Sequence, residues 1–174
     1  MDVYLFAFCP FLSARCGGTF GYLLEAPDMT AKKIQPIEVL PETRPQPRFR
    51  EVVLIDDSDV DLFINETILN AVSVSQKIRK EYSPMKVLED LQKVQRLTEV
   101  PELIFLDLNM PEMNGFEFIR RFSELPDFVR SKCKIVIVTS STDTTDKHKA
   151  LMHPSVVRFL QKPLNVYQLK DFVF

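Results

Sequence analysis

Four short, continuous apolar runs constrain this chain more than any other feature. They are Val52-Val53-Leu54-Ile55, Leu103-Ile104-Phe105-Leu106, Ile135-Val136-Ile137-Val138 and Val156-Val157-Arg158-Phe159-Leu160, the last broken by one arginine. A strand covered on one face alternates apolar and polar residues, whereas a strand covered on both faces is apolar throughout. Short β-branched runs of the second kind, far apart in the chain, predict a parallel sheet between layers of helices. A weaker fifth strand is expected near residues 74–80, where the pattern is thin.

Helical periodicity fills the intervals. Ser58-Asp59 reads as a helix N-cap, and residues 60–72 then place Val60, Phe63, Ile64, Ile68 and Ala71 on one stripe. Residues 85–97 align Leu88, Leu91 and Val94, and residues 116–125 align Phe116, Ile119, Phe122 and Leu125. Shorter helices are expected over 144–152 and 166–173. Five strands alternating with five helices give an α/β class with a doubly wound, five-stranded parallel sheet and helices on both faces. No internal repeat interrupts residues 49–174.

The N-terminal part reads differently. Residues 30–48 hold Pro36, Pro41, Pro45 and Pro47 among polar groups, as an extended linker does. Residues 3–14, VYLFAFCPFLSA, have the apolar character of a signal peptide, but Asp2 stands where a cation is expected and Pro10 interrupts the run. The run is also too short for a membrane helix. Three readings stay open for residues 1–28: an over-long start with Met29 as initiator, a disordered or loosely packed extension, and an export or anchor segment. The expected division is an extension and linker over 1–48, followed by one domain over 49–174.

Composition narrows the function. With 45% hydrophobic and 26% charged residues among 174, the chain can bury a sizeable core. A formal charge of −2 offers no basic face to nucleic acid. Cys9, Cys16 and Cys133 have neither zinc-site spacing nor an even count for a disulfide framework, which points to a reducing, cytoplasmic setting.

Each strong strand ends on something polar: Asp56-Asp57, Asp107, Thr139-Ser140 and Lys162-Pro163. Open parallel sheets bind ligands outside the carboxyl ends of their strands. The four ends therefore gather three carboxylates, two hydroxyls and one ammonium around one crevice, with Asp107 presented at its rim. Carboxylates 4 Å apart repel by about 4 kcal/mol per pair at an effective dielectric near 20. A hard cation with oxygen ligands relieves that repulsion, and Mg²⁺ is the usual one beside phosphate. Together with Lys162, such a site is equipped to transfer a phosphoryl group onto Asp107 as an acyl phosphate.

The segments VVLIDDS, LIFLDLNMPEMNG, IVIVTSS and VVRFLQKP, in this order over residues 51–174, closely resemble the receiver domain of two-component response regulators. The resemblance implies a flavodoxin-like sheet of strand order 2-1-3-4-5. It implies that Asp107 is the phosphoacceptor, that Asp57, Asp107 and the main-chain carbonyl of Asn109 ligate Mg²⁺, and that Asp56 acts through metal-bound water. Thr139 and Lys162 match the hydroxyl and lysine that meet the phosphoryl group. A switch is implied as well, in which the Thr139 hydroxyl turns toward the phosphoryl group and Phe159 moves into the vacated space. The implied donor is a sensor histidine kinase or a phosphotransfer protein, and the downstream protein is not identified by the sequence; neither nucleic acid nor membrane is expected as a partner. A phosphorylation-dependent dimer stays open. About a dozen residues follow Lys162, so a stand-alone receiver is expected. It would act through the surface of the last two helices and last strand, or relay phosphate, and assist its own phosphorylation and dephosphorylation without being an enzyme.

Other readings fit less well. Aspartyl-phosphate phosphohydrolases of the haloacid dehalogenase type use the same groups, but their nucleophile comes first, in a D-x-D pair, and their acidic pair last. A flavin-carrying electron-transfer protein shares the fold, but its first strand needs a hydroxyl- and glycine-rich phosphate loop where this chain has two acids. An interaction module that is never phosphorylated would not need the full set of side chains. His148 and His153 read as solvated groups on a short polar helix and its end. Gly115 reads as ending the turn after Pro111, in a backbone geometry other residues resist.

Overall fold

The computed structural model describes residues 46–170. The expected N-terminal extension, leader and most of the proline-rich linker lie outside the described residues, as do residues 171–173 of the helix expected over 166–173. Five strands, β1 (Phe49–Ile55), β2 (Ser75–Glu81), β3 (Leu103–Leu106), β4 (Lys134–Thr139) and β5 (Val156–Gln161), form one sheet in the order β2-β1-β3-β4-β5. Every neighbouring pair is parallel. Among the described residues six helices connect and flank them: α1 (Asp59–Ala71), α2 (Pro84–Lys93), α3 (Gly115–Phe122), α4 (Asp127–Lys132), α5 (Thr144–Leu151) and α6 (Val166–Lys170).

The two-residue period of the strands divides their side chains between two cores. Val53, Ile55, Ile104, Leu106, Ile135 and Ile137 face one side, where they meet Leu88 and Leu91 of α2, Phe118 and Phe122 of α3, Val129 of α4 and Ala150 of α5. Val52, Leu54, Leu103, Phe105, Val136 and Val138 face the other, against Leu62 and Leu69 of α1 and Leu169 of α6. This double coverage is the reason the central strands are apolar at every position. Strand β2 pairs only with β1 and so forms an edge. Its half-exposed sequence SQKIRKE is what thins the pattern there.

Three sequence expectations are corrected. The inward stripe of α1 is Leu62, Asn65 and Leu69, and the expected Val60 and Phe63 are 65% and 66% exposed. Two apolar stripes compete along this helix, offset by one residue, and the polar Asn65 disguises the buried one. The helix expected over 85–97 ends at Lys93. Val94 leaves it in an extended conformation, and a separate 3-10 turn forms at Leu97–Glu99. Helix α4 was not expected at all: six residues give only one buried position, Val129, too few for periodicity to register.

Candidate functional site

Hydrogen bonding carries β1 and β3 one step past their last ladder residues. The Asp107 amide donates to the Ile55 carbonyl at 3.0 Å, and the Asp56 amide to the Glu81 carbonyl at 3.3 Å. The two acids are thereby fixed side by side at the carboxyl edge of the sheet. Each is further oriented by a nearby amide, Ser58 N–H to Asp56 Oδ1 at 3.0 Å and Leu108 N–H to Asp107 Oδ1 at 2.8 Å. Asp57, next in the chain and exposed, completes a trio whose carboxylate oxygens lie within 4.8 Å of one another.

Lys162 reaches this trio from β5. Its amide donates to the Thr139 carbonyl at 2.9 Å, and its peptide bond to Pro163 is cis. Its Nζ lies 2.7 Å from Asp56 Oδ2, 2.8 Å from Asp61 Oδ2 and 3.4 Å from Asp107 Oδ2. One ammonium thus serves several carboxylates, and the protonation equilibria reflect it. Burial works against the Lys162 charge, but hydrogen bonds to Asp56 and Asp61 and the charge of Asp107 outweigh it and hold its pKa above the usual lysine range. For Asp56 burial wins: it raises the carboxyl above the ordinary value despite the Lys162 hydrogen bond and the Ser58 amide, with the Asp107 charge adding to the rise. The pair is unequal because the lysine has more than one anion to itself, while Asp56 holds only a share of one cation.

The expectation that Asp107 stands at an open rim is corrected. It sits at the end of β3 as expected, but it is only 4% exposed, and Asp56 only 2%. Asp57 alone of the trio faces outward. Thr139 is fully buried at the end of β4, the strand beside β3, and its hydroxyl oxygen accepts from the Ser141 amide at 3.2 Å. Phe159 lies opposite Ile137 in the β4–β5 register, half-buried against the α2–α5 core. Asn109 is exposed in the loop two residues beyond Asp107. His148 is exposed as expected; His153 is half-buried, and its Nδ1 accepts from the Ser155 amide at 3.3 Å.

Gly115 also differs from expectation. Its φ is not positive, so no unusual backbone geometry requires glycine. What requires it is space: a Cβ there would lie 2.6 Å from the Asp107 carbonyl oxygen and 2.9 Å from the Leu108 Cα. Helix α3 starts directly against the acidic loop.

Sequence reasoning missed Asp61. It sits in the first turn of α1, three residues after the N-cap Ser58. That is capping-box spacing, which directs an acid back to the N-cap amide rather than to Lys162. The donor set as a whole consists of hard, anionic oxygens converging from two strand ends, which is what Mg²⁺-sized cations bind.

Comparison with known proteins agrees with this fold. The sequence model for the response regulator receiver domain matches residues 52–174. A two-component response regulator of Arabidopsis thaliana is 30% identical over 122 residues, covering 66% of this chain and 76% of its own. A protein-glutamate methylesterase/protein-glutamine glutaminase of Geobacillus kaustophilus is 29% identical over 128 residues, 70% of this chain but 34% of the relative. The chain therefore spans about a third of that relative's length. Among solved structures, a response regulator receiver protein from Dyadobacter fermentans is 30% identical with a TM-score of 0.61, over 69% of this chain and 91% of its own. A two-component response regulator from Cytophaga hutchinsonii is 31% identical with a TM-score of 0.62, over 70% and 91%. With a parallel sheet in the order 2-1-3-4-5, acids closing β1 and β3, and a family match over most of its length, the chain belongs to the response regulator receiver domains.

Proposed function

We propose that this receiver accepts a phosphoryl group on Asp107 from a phosphohistidine of a sensor histidine kinase or phosphotransfer protein. The observation that carries the reading is the meeting of Asp56, Asp57 and Asp107 within 4.8 Å, with Lys162 against them. Asp56, Asp57, Asp107 and the Asn109 carbonyl are the groups that would hold Mg²⁺. Bound there, the ion would supply charge neutralisation and orientation for the transferred phosphoryl oxygens.

The chain's own residues account for the rest. One carboxylate oxygen of Asp107 forms the new P–O bond as the P–N bond to the donor imidazole breaks. The electron pair of that bond leaves with the imidazole, which ends neutral after taking up a proton. Lys162 offers its ammonium to a phosphoryl oxygen, and the Thr139 hydroxyl donates to another once it leaves its resting contact with Ser141. Burial of Asp107 restricts water and so protects the acyl phosphate.

The acyl phosphate carries about −1.5 to −2 charges where the carboxylate carried one, so the site gains up to about one negative charge and three strong acceptor oxygens. Moving an active state from 1% to 99% takes about 5.5 kcal/mol of differential stabilisation, within reach of a few charge-assisted hydrogen bonds. Movement of Thr139 and Phe159 would pass the change to the surface of α5, β5 and α6, where a downstream protein or a second copy binds. Among the described residues no helix is long and apolar enough to cross a membrane. A cytoplasmic setting suits the donor and the magnesium chemistry.

Incubation with acetyl phosphate and Mg²⁺ tests the reading. Intact-mass measurement should show one added phosphoryl group on the unsubstituted protein and none on Asp107→Ala. Labelling of that variant, or failure of the unsubstituted protein to label, would overturn it.

A further inference from the structure

Ser58 and Asp61 have the spacing of a capping box, in which the N-cap side chain takes the N3 amide and the N3 acid takes the N-cap amide. Only half of that box forms. The Asp61 amide donates to Ser58 Oγ at 3.3 Å, but the Ser58 amide donates to Asp56 Oδ1 at 3.0 Å. Asp56 has taken the donor that Asp61 would use, and the Asp61 carboxylate turns to Lys162 instead, 2.8 Å away.

An ammonium has three protons to donate. In the resting protein Lys162 gives its short contacts to Asp56 and Asp61, at 2.7 and 2.8 Å, and leaves Asp107 at 3.4 Å. Its third proton is therefore available, but the two short contacts hold the ammonium away from Asp107, and the strong acceptor oxygens of a phosphoryl group there would draw it off one of them. The two short contacts are not equally easy to break. The Asp56 side chain is 3% exposed, and freeing it would strand a charge in the interior; the Asp61 side chain is 35% exposed, and water can take the place of the lysine.

We propose that Asp61 is a positioning residue for phosphoryl transfer: it holds Lys162 away from Asp107 in the unphosphorylated protein and yields it when the phosphoryl group arrives. The inference rests on the proposed phosphoacceptor role of Asp107. Asp61 touches no reacting atom and acts only through the lysine, which makes it a brake on entry into the phosphorylated state.

Acetyl phosphate labelling of Asp61→Asn, beside Asp59→Asn as a charge control, tests this. Asp59 lies in the same helical turn, but its carboxylate accepts from the Tyr82 hydroxyl at 2.6 Å rather than from Lys162. Asp61→Asn should label about three- to tenfold faster, as expected for loss of a half-exposed charged contact. Asp59→Asn should stay within about twofold of the unsubstituted protein, its effect being only long-range charge. In the unsubstituted protein the Lys162 Nζ resonance, assigned by its absence in Lys162→Arg, should shift on phosphorylation as the Asp61 contact is lost. This second readout needs no Asp61 variant to fold. No acceleration in Asp61→Asn, equal acceleration in Asp59→Asn, or an unmoved Nζ signal in labelled protein would overturn the inference alone. An unsubstituted protein that takes no phosphate would overturn it together with the phosphoacceptor reading.

Discussion

Gly115 approaches Asp107 more closely than a side chain allows: a Cβ on Gly115 would meet the Asp107 carbonyl oxygen at 2.6 Å. Two of the obstacles, the Asp107 carbonyl oxygen and the Leu108 Cα, are backbone and cannot swing away as a flexible side chain could. Gly115→Ala should cost about 1–3 kcal/mol of stability, the range for forced overpacking, and displace the loop that carries Asp107. Urea denaturation reads the first effect, and slower acetyl phosphate labelling the second.

Neighbouring residues in α1 should respond oppositely. Leu62 is 1% exposed in the core under the sheet, whereas Phe63 is 66% exposed. Leu62→Ala is expected to lose about 2–5 kcal/mol through lost burial and the cavity left behind. Phe63→Ser should stay within about 0.5 kcal/mol of the unsubstituted protein. Thermal melts of the two variants decide between this register and the stripe expected from the sequence.

The same helix shows where sequence reasoning works and where it stops. Val52–Ile55 and Leu103–Leu106 announced doubly covered strands because burial on both faces leaves no room for polar residues. The acids that close them were legible because polarity at a strand end contrasts so sharply with the run before it. In α1 the contrast fails: Asn65 is only 4% exposed, and Val60 and Phe63 face outward, so composition and burial disagree. Burial of Asp107 was not legible either, since the groups around it include Lys162, which follows β5 and is distant in sequence. Asp61 escaped notice because its role depends on Asp56 having claimed the Ser58 amide, a competition that spacing alone does not reveal. Helix α4 and the early end of α2 depend on a handful of residues, below the reach of periodicity.

Stability should depend on pH through Asp56. Burial, outweighing the Lys162 hydrogen bond and the Ser58 amide, raises its folded pKa above the ordinary value of 3.8. The folded protein therefore holds this proton more tightly than the unfolded chain does. Its contribution is fully present below the unfolded pKa and is lost as pH rises through the folded pKa. At neutral pH, without divalent ions, Asp56→Asn should melt at a higher temperature than the unsubstituted protein. The difference should shrink as pH falls through the folded pKa of Asp56; melts in metal-free buffer across that range check it.

Lys162 is the positive charge that the acidic site relies on in the absence of metal. Lys162→Ala should still fold but lose about 3 kcal/mol, the scale for leaving buried charge without its partner. Added Mg²⁺ should restore more stability to this variant than to the unsubstituted protein, because the ion supplies the missing charge. Melting curves with and without Mg²⁺ test this, and pull-down with phosphorylated protein should show that the variant no longer couples phosphorylation to partner binding.

The most direct test of the whole account is to locate the phosphoryl group chemically. Borohydride reduces an aspartyl phosphate to homoserine but leaves a free carboxylate intact, so peptide sequencing after phosphorylation and reduction identifies the acceptor. The account predicts homoserine at position 107 and unaltered aspartates at 56, 57 and 61. Homoserine at any of those three, or an unreduced Asp107 in protein that carries phosphate, would contradict it.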